Sequence, residues 1–119
     1  MSVKADASDR LIRTFGIVVN RAPAGLMTYG EFADQLGIAA QGTGPFLTPL
    51  LRWCRLNGLP PLPIIVVEKA TGRPAGGDYD AATMDAETER VRKHDWSAVT
   101  KPTHDELLSL RRAPDFAAR

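Results

Sequence analysis

Three prolines in five residues, Leu59-Pro60-Pro61-Leu62-Pro63, place the strongest constraint on this chain. Each proline removes a backbone donor and holds its predecessor out of the helical region. The segment is predicted to be extended, with helices confined to either side of it. Ile64 to Val67 follows as an unbroken β-branched run and predicts a strand. Lys69-Ala70-Thr71-Gly72 then reads as a hairpin-type turn. Arg73 to Gly77 reads as a return strand or loop, weakened by proline and two glycines.

Upstream, Leu11, Ile12, Phe15, Val18 and Val19 form a helical stripe, which Ser8 or Asp9 can cap and Ala22-Pro23-Ala24-Gly25 ends. Thr28-Tyr29-Gly30-Glu31 has the form of a capping box, with Thr28 as N-cap and Glu31 three residues on. Phe32, Ala33 and Leu36 give that short helix its apolar face, and Gly37 is a C-cap residue. A Gly- and Ala-rich turn, 38–44, leads to a further helix ending at Asn57-Gly58. Phe46, Leu50, Trp53 and Cys54 line one of its sides, and Thr48, Arg52 and Arg55 share another. Pro49 leaves two starts open: a helix from Pro45 that bends, or one capped by Thr48 with Pro49 in its first turn.

Downstream, Asp85 to His94 predicts a charged helix, broken by Asp95-Trp96-Ser97, with Trp96 placed to anchor it. Thr103-His104-Asp105-Glu106 is a second capping box, opening a helix through Leu107, Leu108 and Leu110.

Composition removes several classes of function. At 119 residues the chain is one domain by length, and 15 Lys and Arg against 14 Asp and Glu leave a net charge of +1. That excludes an indiscriminate nucleic-acid coat. There is no apolar run of membrane-spanning length. The opening MSVKADASDR lacks the apolar core of a secretory signal, and a single cysteine fits a reducing cytoplasm. Cys54, His94 and His104 show no metal-ligand spacing, so no metal is expected. The Gly-rich run Arg73 to Asp78 lacks the Gly-Lys-Ser/Thr of a P-loop. No catalytic constellation or cofactor motif emerges, and the chain is expected not to be an enzyme.

The order helix, short helix, turn, helix, extended segment, strand, turn, return is that of a winged helix-turn-helix. The expected fold is therefore α+β: a winged helix-turn-helix core over residues 1–80 and a C-terminal helical extension, 81–119, packed on it. In such a fold the third helix enters a major groove and the hairpin touches flanking phosphate. Thr48, Arg52 and Arg55 supply the polar face, and Lys69 and Arg73 sit at the wing tip beside Gly72. An ordinary solvated helix face and hairpin would look the same.

Thr28-Tyr29-Gly30-Glu31-Phe32-Ala33-Asp34-Gln35-Leu36-Gly37 resembles the TYGE-x-A-x-x-x-G segment of the DNA alkyltransferases and alkyltransferase-like proteins. Gly44-Pro45-Phe46-Leu47 sits where that family begins its recognition helix, and Asn57 to Pro63 looks like its NPLPILIP stretch with residues inserted. The likeness spans 27–68. In place of the family's Pro-Cys-His-Arg run stands Pro63-Ile64-Ile65-Val66-Val67, so the resemblance implies binding without methyl transfer. Tyr29 stands at the position of the family tyrosine, and Gln41 falls near its intercalating arginine, so the arginine wedge is not matched here; Tyr29, Gln41 and Thr43 are expected among the DNA contacts. Residues 27–97 are similar as well to a small bacterial winged-helix domain with Thr-Tyr-Gly-Glu-Leu-Ala, Gly-Pro, Gly-Leu-Pro-Pro-Leu and Val-Val-x-Lys-x-Thr-Gly signatures, a likeness that bears on fold rather than chemistry. The competing expectation is a protein-interaction module, a toxin–antitoxin or phage-defence component. Gln41 to Leu47 faintly resembles a peptide that docks on the bacterial sliding clamp.

Overall fold

The computed structural model describes residues 7–75 and 79–112. They form a small, mostly helical α+β fold with five α-helices and two short parallel strands. Helix α1 (Ala7–Arg21) buries Leu11, Phe15 and Val18, one face of a 3.6-residue period. Ser8 and Asp9, the expected caps, lie within the helix rather than ahead of it. Ile12 sits at the edge of the stripe and is 46% exposed. Beyond α1, Gly25 adopts φ 125°, a conformation costly for residues with a Cβ, and turns the chain into β1 (Met27–Thr28).

Helix α2 (Tyr29–Leu36) is stopped and started by its own sequence. The Thr28 hydroxyl accepts from the Glu31 amide at 3.1 Å, and the Glu31 carboxylate accepts from the Thr28 amide at 2.8 Å. Gly37 closes the other end in the left-handed region, at φ 81°. Arg10 and Arg13 of α1 then donate to the carbonyls of Leu36, Gly37 and Gln35, the acceptors that a helix end leaves over.

Helix α3 (Gly44–Leu56) takes the first of the two starts left open by Pro49, with the proline inside it. Pro49 has no N–H for the carbonyl of Pro45. That carbonyl instead accepts from Arg111 Nε at 2.8 Å. Below α3 the proline-rich stretch is not wholly extended: Leu62–Ile65 forms a 3-10 turn. Pro63 is tolerated there because the first turn of a helix needs no amide donor.

Strand β2 (Val66–Val67) carries the strand predicted from the β-branched run, shortened by that turn. It pairs in parallel with β1, Met27 opposite Val66 and Thr28 opposite Val67. The long connection that a parallel pair requires is supplied by α2 and α3. No return strand forms over 73–75; Gly76 and Gly77 lie outside the described residues. The tight turn is present all the same. Glu68 N–H donates to the Arg73 carbonyl and Gly72 N–H to the Glu68 carbonyl, both at 2.8 Å.

Helix α4 (Met84–Lys93) buries Val91. Trp96, in the 3-10 turn Trp96–Ala98, is buried and donates its Nε1 to the Val91 carbonyl at 2.8 Å, which anchors the charged helix. Helix α5 (His104–Arg112) opens on the second capping box, Thr103 with Glu106, and buries Leu107 against α1 and α3. One core runs through α1, α2, α3, the 3-10 turn and α5, with Phe15 and Trp53 edge to face at 5.6 Å.

Candidate nucleic-acid interface and its cavity

The first turns of α3, the turn that precedes it and the start of α2 line an open cavity of about 570 Å3. Small-molecule sites run from roughly 300 to 1,000 Å3. Leu47, Leu51 and Pro63 supply apolar lining, Gln41, Thr43 and Thr48 supply polar groups, and Tyr29 and Tyr79 contribute two phenol rings. The sequence explains the placement. The capping box fixes the first turn of α2 and therefore Tyr29. Gly44-Pro45 starts α3, and its stripe puts Leu47 and Leu51 a turn apart with Thr48 beside them.

Both tyrosines are tied. The Tyr29 hydroxyl accepts from the Ala75 amide at 2.8 Å, which joins α2 to the segment after the Lys69–Gly72 turn. Tyr79 lies beneath the Arg55 guanidinium, whose carbon is 5.8 Å from the ring centroid. The lining thus sets aromatic, apolar, amide and hydroxyl groups side by side.

Of the residues expected to meet DNA, Tyr29, Gln41, Thr43 and Thr48 are brought together here. Thr43 is buried, Thr48 and Tyr29 are half-buried, and Gln41 is exposed. The basic residues are placed differently. Arg52 is half-buried and donates from Nη1 to the Leu110 carbonyl at 2.6 Å, so its guanidinium is turned to α5. Arg55 is exposed over Tyr79. Lys69 and Arg73 are exposed on the tight turn, Arg73 reaching Met84 Sδ at 3.9 Å. Tyr79 and Leu51 were not singled out from sequence as site residues. Leu51 reads as core from the stripe, and no spacing signal ties Tyr79 to α3.

Cys54 lies in the core, and burial pushes its thiol up to about 12. His94 packs on Trp96 at 4.6 Å between ring centroids. His104 lies 3.6 Å from the Asp105 carboxylate, closer than the divergence expected of neighbours on a helix, at the exposed start of α5. Among the described residues no group of three His, Cys, Asp or Glu side chains could hold a metal ion, and no helix is long and apolar enough to cross a membrane.

Comparison of the chain with protein-family models, with characterised proteins and with solved structures finds no match.

Proposed function

We propose that this protein is a non-enzymatic DNA-binding protein of alkyltransferase-like type. In this reading α2, the intervening turn and α3 serve as the helix-turn-helix, and the tight turn at Lys69–Gly72 serves as a short wing. The cavity receives a base displaced from the duplex. The observation that carries the reading is the cavity itself, which gathers Tyr29, Gln41, Thr43 and Thr48 from two helices and a turn. An extruded base is planar, with two apolar faces and a polar edge, and proteins hold such bases by stacking and by hydrogen bonds to that edge. Arg55, Lys69 and Arg73, all exposed, stand for phosphate contact around it. Methyl transfer forms no part of the reading, because the sequence has no thiol after Pro63 and Cys54 is buried and held protonated.

Fluorescence anisotropy with two labelled duplexes tests it, one fully paired and one carrying a single unpaired nucleotide. Binding of both at low salt is expected, with the unpaired duplex preferred by about tenfold or more. Thr48→Phe, which fills the cavity, should remove the preference and leave binding to the paired duplex. A folded protein that binds neither duplex at low salt would overturn the DNA reading and favour a protein partner.

A further inference from the structure

Pro49 and Arg111 stand far apart in sequence and meet at one carbonyl. A proline inside a helix deprives the carbonyl four residues earlier of its donor. In α3 that carbonyl belongs to Pro45, in the first turn, and Arg111 Nε fills the gap from α5 at 2.8 Å. The Arg111 guanidinium carbon also stands 4.9 Å from the centroid of the Phe46 ring, the next residue of the same turn. The exchange runs both ways. Leu110 of α5 stands four residues before Pro114, which has no N–H to give its carbonyl, and that carbonyl accepts from Arg52 of α3 at 2.6 Å. The two helices are thus clasped by two arginines, each supplying a donor that the other helix lacks.

We propose that α5 is a strap that sets the cavity. The clasp grips α3 at Pro45 and at Arg52, on either side of the Leu47, Thr48 and Leu51 that line the cavity. With Arg111 disengaged, the Pro45 carbonyl loses this donor and cannot regain one from position 49, and the first turn loosens. Cavity shape then depends on a segment that contributes nothing to its lining. Arg111 and Arg52 are positioning residues in this scheme: they act on the site through α3. The functional consequence rests on the cavity being the binding site; the strap itself does not.

A double-mutant cycle between Pro49→Ala and Arg111→Ala tests the strap, read by thermal melting and by exchange of the Phe46 and Leu47 amides, both of which donate to the Thr43 carbonyl. Arg111→Ala alone should lower the melting temperature by roughly 4–8 °C. It should speed exchange of those two amides by about tenfold relative to the amides of α2. In the Pro49→Ala background the new N–H at position 49 can serve the Pro45 carbonyl. There the same change should have less than half of each effect. Should Arg111→Ala fail to fold, recovery of folding by Pro49→Ala gives the same support. Equal losses in both backgrounds, or failure to fold in both, would overturn the strap and leave Arg111 as packing on Phe46. The preference for the unpaired duplex should fall in parallel with amide protection. A loss of preference with protection unchanged would also overturn it. If the wild-type chain binds no DNA, melting and exchange still decide.

Discussion

Arginine side chains in this fold stand in for amide donors that backbone carbonyls lack. Arg10 and Arg13 serve the end of α2, Arg52 the Leu110 carbonyl of α5, and Arg111 the gap that Pro49 leaves in α3. The guanidinium is suited to this, since it offers several donors and stays charged. Cys54 shows the opposite treatment of a titratable group, one kept neutral. Burial raises its thiol from 9.0 to about 12. Above pH 9 the unfolded chain releases this proton while the native protein keeps it. Stability from the buried thiol is therefore complete below pH 9 and is lost as pH climbs toward 12. The stability of the wild type relative to Cys54→Ala should fall by about 1.4 kcal/mol per pH unit over that window. Urea unfolding at pH 8, 9 and 10 measures it, and a difference that does not change with pH would show that the native thiol ionises freely.

The two capping boxes were the most legible features of this chain, whereas the expected caps of α1 fell within that helix. Both capping boxes, Thr28 with Glu31 and Thr103 with Glu106, formed as their spacing requires, because the partners lie three residues apart and need no help from the rest of the molecule. Thr28→Ala should cost about 1 kcal/mol. It should lower the urea midpoint with the slope of the transition unchanged, while Thr28→Ser should retain most of the stability. The strand was less legible. The β-branched run Ile64 to Val67 called for an extended segment, yet its first half wound into a 3-10 turn, and the remainder paired with Met27–Thr28. A parallel partner announces itself by no local turn, and two residues are too few to show a period. For the same reason the pattern of turn and glycines suggested an antiparallel hairpin where residues 73–75 form no strand.

Charge as a total and charge as presented are different quantities in this molecule. The chain carries +1 overall, and Arg10, Arg13, Arg52 and Arg111 all donate to carbonyls of neighbouring helices. A DNA-binding role then rests on few phosphate contacts, and each contact adds about 0.9 to the slope of log affinity against log salt. The slope should be shallow, on the order of 2–4. Lys69→Ala should reduce it by about 1, as a lost phosphate contact does. Arg52→Ala should weaken binding and lower stability while leaving the slope alone, since its guanidinium is turned to α5. Anisotropy titrations at four salt concentrations separate the two variants, and a slope reduced equally by both would place Arg52 at the DNA.

The helix positions, the two capping boxes, the buried stripe of α1 and the core placement of Trp53 and Cys54 follow from interactions within three or four residues along the chain, so they were readable from residue order. Which way Arg52 turns, what Pro49 lacks and Arg111 supplies, and how Tyr29, Thr48 and Tyr79 come to face one cavity all depend on contacts between segments remote in sequence. Those contacts are chosen by how the apolar faces pack together as a set, and no local pattern encodes that choice.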